Sequence, residues 1–318
     1  MRRILMAVGL LCAAAGPAAA YPDRPVQLIV PFPAGGATDV IARLFAEKLA
    51  GQLGGTIVVN NIGGAGGALA ASQAAKADAD GHTLFFGTTG TLSINQSLYK
   101  TLSYRPIEDF RPISLVGRSA NILLVHPSVP GSDLREMLAY AKAHPDALSY
   151  ASAGNGSSTH LAGELLQLAA GVRLTHVPYR GGAPAMADLL SGRVSMMFDT
   201  IPTGMQSVQR GGVRNFGTTG TTRSAATPTV PTIGESALPG FDVTIWFALL
   251  APARLNDGVA ETLHRATAAT LADPALRNRL SEIGVDPGAS SPEELAALIR
   301  SDAAKWRTVI EEGHVSIN

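Results

Sequence analysis

Short apolar runs, each ending in a loop and giving way to a helical pattern, recur along almost the whole chain. This alternation restricts the fold more than any other feature. Val26-Gln27-Leu28-Ile29-Val30 reads as a strand that stops at Pro31-Phe32-Pro33-Ala34-Gly35-Gly36. Ile41, Leu44, Phe45 and Leu49 then share one helical face. Ile57-Val58-Val59 and Thr83-Leu84-Phe85-Phe86 are further strands, with Gly63-Gly64-Ala65-Gly66-Gly67 and an Ala-rich helix between them. Repeated strand–helix–strand order predicts an α/β fold whose sheet is mostly parallel and covered on both faces.

The rhythm changes near Pro112. A strand is expected over 122–125, and Ser132-Asp133 opens a helix through Met137 and Ala141. A second α/β set follows, with strands over 148–151, 175–179, 194–198 and 213–218. A Thr/Pro-rich stretch precedes a long apolar strand over 244–251, and the remainder reads as helical. Ser291-Pro292-Glu293-Glu294 is a capping box with Pro in the first helical position, so the last helix starts there. A chain of 318 residues suits about two domains. The strands at 122–125 and 244–251 are expected to be crossovers joining two lobes. Residues 21–118 plus 245–318 form one lobe and residues 119–244 the other; the alternative is one continuous sheet.

Arg2 and Arg3 precede an apolar run that ends before Gly16-Pro17 and Ala18-Ala19-Ala20. A short cationic start, a brief apolar stretch and an Ala-x-Ala end form the layout of a secretory signal, with cleavage expected after Ala20. The run is shorter than the ~20 residues of a membrane span. Cys12, the only cysteine, falls inside it, so the exported chain would carry no thiol, disulfide or Cys-based metal site. Lys plus Arg and Asp plus Glu balance at 25 each, which leaves no positive field for nucleic acid.

Candidate chemistry gathers at strand ends. The loop holding Phe32, Gly35, Gly36, Ala37 and Asp39 joins the first strand to the first helix. There, unpaired helix N–H groups and a positive dipole end bind anions, and glycine admits a ligand to the backbone. The other reading is a tight turn with Thr38 or Asp39 as cap. Similar loops carry Thr88, Gly90 and Thr91; Gly156, Ser157, Ser158 and Thr159; and Tyr179, Arg180, Gly181 and Gly182. Convergence of these loops would line a polar cleft suited to a carboxylate. Asp199 ends a strand and either accepts a hydrogen bond from a ligand or caps the next helix. Arg180 is either an ordinary surface cation or a source of positive potential at the cleft mouth. Met196, Met197, Trp246 and Trp306 read as packing residues.

Gly64-Ala65-Gly66-Gly67-Ala68-Leu69 lacks the third glycine of a dinucleotide fingerprint, and no Gly-Lys-Ser/Thr loop, Gly-x-Ser-x-Gly elbow or His-Glu-x-x-His pair is present. His160 and Glu164, at i and i+4, are too few for a metal site. A hydrolase would have to use Ser157 or Ser158 with His160. No cofactor and no metal are expected.

The segments Tyr21-Pro22-Asp23-Arg24-Pro25, Val30-Pro31-Phe32-Pro33-Ala34-Gly35-Gly36-Ala37-Thr38-Asp39 and Val177-Pro178-Tyr179-Arg180-Gly181-Gly182-Ala183-Pro184-Ala185 resemble the Bug-type solute-binding proteins of tripartite tricarboxylate transporters. The likeness continues through Asp80-Gly81-His82-Thr83-Leu84, Phe198-Asp199 and Pro228-Thr229-Val230-Pro231-Thr232. The resemblance implies a periplasmic binding protein of the two-lobed, type II-like class that closes on a small organic acid and presents it to membrane transporter subunits. A monomer is expected, and the alternative role is a sensor that docks on a membrane signalling partner. It further implies that one carboxylate is held between the loops at Phe32–Asp39 and Thr88–Thr91 by backbone amides and water. The second lobe would add the loop at Gly156–Thr159 and the acid Asp199. The chain departs from the family pattern at Asn60-Asn61-Ile62-Gly63 and at Ala68-Leu69-Ala70, beside the expected site.

Overall fold

The computed structural model describes residues 21–313, 315 and 316; the expected export signal lies outside them. The chain opens with β1 (Val26–Val30), α1 (Ala37–Leu53), β2 (Ile57–Asn61), α2 (Ala68–Ala75) and β3 (Thr83–Thr88). A single wide turn over Gly90–Ile94 and α3 (Asn95–Leu98) lead to β4 (Phe110–Val125) and α4 (Leu134–Ala143). The alternation resumes with β5 (Ser149–Ser152), α5 (Ser158–Ala170), β6 (Thr175–Pro178), α6 (Gly182–Leu190), β7 (Met196–Thr200), α7 (Ile201–Arg210) and β8 (Arg214–Thr218). After α8 (Ile233–Ser236) and β9 (Thr244–Pro252) come α9 (Asp257–Ala272), α10 (Pro274–Glu282), β10 (Val285–Pro287) and α11 (Pro292–Glu312).

Local chemistry accounts for the element bounds. In α1, Ile41, Phe45 and Leu49 are fully buried at four-residue spacing. Each such side chain contributes about 2 kcal/mol by leaving water. The helix stops at Gly54, whose left-handed conformation returns its N–H to the last turn. Asp133 caps α4, and α11 begins with the expected Ser291/Glu294 capping box.

The strand order is β2-β1-β3-β9-β4-β7-β5-β6, with β8 and β10 also paired to β4. Pairing is parallel among β1, β2 and β3 and among β5, β6 and β7. The two long strands between these sets, β4 and β9, run antiparallel to their neighbours. β4 changes partner along its length: its pairing with β9 ends at Ala120↔Thr244, and its pairing with β7 begins at Asn121↔Thr200. One strand therefore serves both halves of the sheet.

Two features differ from the sequence expectation. The strand expected at 122–125 starts at Phe110, and bulges between Pro112 and Ser114 and between Leu115 and Gly117 break its apolar alternation. The C-terminal part is not wholly helical, because Val285–Pro287 adds a short strand against Ser119 to Gly117. The last helices return to the first half of the sheet. There α9 packs on α1, the Ser93 hydroxyl donates to the Ile299 carbonyl at 3.3 Å, and the Trp246 indole N–H donates to Asp302 at 3.0 Å.

Candidate functional site

The loop after β1 is held from behind. Gly35 has φ +83, a left-handed conformation that favours glycine, and its N–H donates to Asp39 Oδ2 at 2.9 Å. Asp39 Oδ1 accepts from Arg43 Nε and from Asn61 Nδ2, each at 2.9 Å. Asn61 also donates to the Phe32 carbonyl at 2.9 Å. Burial pushes the Asp39 carboxyl up, but the hydrogen bonds from Arg43, Gly35 and Asn61 outweigh it and hold it below the ordinary carboxylate range. Asn61 is one of the departures from the family pattern, and it braces the first loop directly.

The other loops are fixed in similar ways. The Thr88 N–H donates to Thr91 Oγ1 at 3.0 Å, and the Thr91 hydroxyl returns a bond to the Thr88 carbonyl at 3.1 Å. Trp246 N–H donates to Thr89 Oγ1 at 2.9 Å, tying this loop to β9. Ser157 caps α5 by accepting from His160 N–H and donates to the Gly154 carbonyl at 2.7 Å. The Thr159 hydroxyl accepts from Ala153 N–H at 2.9 Å.

These loops border one cavity of about 290 Å³ between the two halves of the sheet. From the first half, Phe32, Gly35, Gly36 and Ala37 line it, together with Thr88 and Gly90. From the second half come Ser157, Ser158, Thr159 and Asp199. Asp39, Thr91 and Gly156 stand behind this wall as braces. Gly156 donates its N–H to His160 Nδ1 at 3.3 Å. Tyr179 and Arg180 border a different cavity of about 510 Å³, shared with Lys100 and the turn Gly64–Gly67. The Tyr179 hydroxyl donates to Asp188 Oδ2 at 2.7 Å.

Four helices start at the first cavity: α1 at Ala37, α5 at Ser158, α6 at Gly182 and α7 just after Thr200. In α1, α6 and α7 no side chain caps the first turn. Their free N–H groups and positive dipole ends face the space from both halves. Among the described residues, Asp199 and Arg210 are the only charged side chains in the wall. Asp199 is 7% exposed. Its Oδ1 accepts from Thr200 N–H at 2.9 Å and its Oδ2 from the Thr203 hydroxyl at 2.7 Å. Burial nevertheless pushes its carboxyl up to about 6.

Several wall residues escaped sequence reasoning, Trp246 and Arg210 among them. Trp246 belongs to the packed strand β9 yet borders the cavity. Arg210 lies far along the chain from any glycine-rich strand end. Its signal was the polar spacing Thr203, Gln206, Ser207, Arg210, which puts one face of α7 on the cavity.

The histidine beside the α5 loop has a different surrounding. His160 Nδ1 accepts from Gly156, and Nε2 faces Glu164 at 3.5 Å, so neither nitrogen serves a serine hydroxyl. His176 joins this pair, and one candidate ligand atom from each of the three residues lies within 4.8 Å of the others. The two rings stack at 4.2 Å and 19°, with Tyr150 on the far face of His176. Parallel rings direct their in-plane lone pairs side by side, a poor arrangement for sharing one tetrahedral ion. Tyr150 and Ser152 bond Glu164 and His176. The cluster is a bonded pillar under the α5 loop. Burial and the neighbouring His160 push the His176 imidazole down to about 3.

Among the described residues no helix is long and apolar enough to cross a membrane. Protein BugT of Bordetella pertussis is 34% identical over 318 residues, covering 98% of each chain. The solved structure of periplasmic binding protein BugD superposes with a TM-score of 0.89 at 36% identity, covering 93% of this chain and 99% of that one. The structure of R. palustris Rpa4515 with adipate gives a TM-score of 0.90 at 35% identity, with 93% and 99% covered. Such neighbours share a two-lobed α/β fold. Residues 41–315 match the profile of the tripartite tricarboxylate transporter family receptors, and the chain belongs to that family.

Proposed function

We propose that this chain is an extracytoplasmic solute-binding protein that closes two lobes on a small organic carboxylate and delivers it to a tripartite tricarboxylate-type membrane transporter. One observation carries the reading: four helix N-termini from both halves of the fold open onto one cavity, and among the described residues only one cation lies in its wall. Such a site favours negative charge through fixed dipoles. The ligands named for related structures, adipate among them, have the matching chemistry.

The proposed lobes are residues 21–118 with 245–318, and residues 119–244. The change of partner in β4 between Ala120 and Asn121 supports a hinge there. The Arg2-Arg3 start, the apolar run and Ala18-Ala19-Ala20 support export, as does the periplasmic setting of BugD. A role in binding rather than turnover is supported by Ser157 and His160, whose side chains are committed to capping and to Gly156. The cavity is complete within one chain, so a monomer suffices.

Thermal unfolding of the purified protein against succinate, malate, citrate, adipate, hexanoate and aspartate tests the reading. Ligand at ~100-fold excess over Kd stabilises by about 2.7 kcal/mol, a readable rise in Tm. A saturable rise with at least one acid is expected. No response to any of them would overturn the proposal.

A further inference from the structure

The cavity has two unlike ends. One is built from helix N-termini and carries Asp199, Thr200 and Thr203 at the start of α7. The other holds Arg210, the last residue of α7 and the only cation in the wall among the described residues. Thr203, Gln206, Ser207 and Arg210 follow one another at i, i+3, i+4 and i+7, so a continuous polar stripe joins the ends. Seven residues of helix place Thr203 and Arg210 ~10 Å apart along the axis. Arg210 forms no ion pair or hydrogen bond among the described residues, where thirteen other Arg, Lys and His side chains make fourteen cation–acid pairs. Met186, Pro184 and Ile245 supply apolar wall.

Helix N–H groups and hydroxyls beside Asp199 at one end, an unpartnered guanidinium at the other and apolar side chains in the same wall suit a ligand with two acid groups on an apolar spacer. Resting on the carboxylate reading above, we infer that Arg210 is the specificity-determining residue for the second acid group, and that the ligand is an elongated dicarboxylate. A guanidinium binds a carboxylate through two parallel N–H donors, which a monocarboxylic acid of equal length cannot use. The cation also lies at the C-terminal end of α7, where its charge complements the helix dipole without tying up its donors.

Isothermal titration with adipate and hexanoate, equal in chain length, tests this on the wild type, Arg210→Gln and Arg210→Lys. The wild type is expected to bind adipate at least about tenfold more tightly than hexanoate. Arg210→Gln should remove that preference by weakening adipate while leaving hexanoate within about twofold, and Arg210→Lys should keep part of it. Equal weakening of both acids, no change in either, or a wild type that does not distinguish them would overturn the role of Arg210 alone. A wild type that binds no carboxylate at all would remove the site reading along with it. Tm values within about 2 °C of wild type would exclude misfolding as the cause, because Arg210 is exposed at a helix end.

Discussion

Gly90 and Gly156, which belong to opposite halves of the fold, meet backbone to backbone: a Cβ added to Gly90 would stand 2.9 Å from the Gly156 carbonyl oxygen. Nearby, Tyr99 from the first half donates its hydroxyl to the Asn155 carbonyl at 2.9 Å. On the proposed two-lobe reading, such contacts are those of a closed form. Gly90→Ala should hold them apart while leaving each core intact. Affinity for the tightest acid of the panel should fall about tenfold or more, and small-angle scattering should show no compaction on adding that acid. Unchanged affinity would mean that closure does not need this approach.

Gly36 tests the cavity wall itself. Its backbone is extended, at φ −80 and ψ 167, and a Cβ there would meet only the Pro33 carbonyl oxygen at 3.5 Å. Gly36→Val should therefore fold, with a loss of about 1 kcal/mol or less at the helix start. Its branched side chain would fill space at the α1 N-terminus. The ligand-induced rise in Tm should disappear; a full rise would remove this loop from the binding surface.

Asp39 acts from behind. Asp39→Ala removes the acceptor that holds Gly35, Arg43 and Asn61 together. Ligand affinity should fall about tenfold without any direct contact being lost. Titration calorimetry of the variant checks this, and wild-type affinity would show that the loop keeps its shape unaided.

Asp199 gives the protein a pH signature. Its carboxyl is raised from 3.8 to about 6 in the folded state, so between those values the folded protein binds more protons than the unfolded one. This contribution to stability falls as pH rises through that window and stays at the reduced level above it. Asp199→Asn should gain at most about 3 kcal/mol over wild type near neutral pH, and the gain should vanish below about pH 4. A bound carboxylate would raise the Asp199 pKa further, so binding takes up a proton. Wild-type affinity should increase from about pH 8 to about pH 6, and Asp199→Asn should flatten that dependence. Calorimetry across this range reads both effects, and a flat wild-type profile would place the ligand away from Asp199.

What the sequence disclosed follows the range of the forces involved. The strand–loop–helix units around Phe32, Thr88 and Ser157 were readable because apolar runs, glycines and caps act over a few neighbouring residues. The caps at Asp133 and Ser291 are legible for the same reason. Arg180 adjoins a glycine-rich loop, as a cleft cation would, yet the turn after β6 carries it to the other cavity. Arg210 reaches the first cavity on the polar face of α7; its spacing with Thr203, Gln206 and Ser207 marks that face, but the packing of α7 decides what the face meets. Phe110 to Ala120 did not read as strand because the bulges at Pro112 and Leu115 interrupt its alternation, and pairing with β9 overrides that interruption. Asn61 stood out only as a departure from the family pattern, without a role; its importance is a hydrogen bond to a residue twenty-two positions earlier in the chain.

The central claim is that fixed peptide dipoles from both lobes hold a carboxylate. It is tested most directly by titrating the protein with the tightest acid of the panel and with the primary amide of the same carbon chain. The account predicts one ligand per chain for the acid and a loss of about a hundredfold or more for the amide, whose N–H donors would oppose the helix N–H groups. Equal affinity for acid and amide would contradict it.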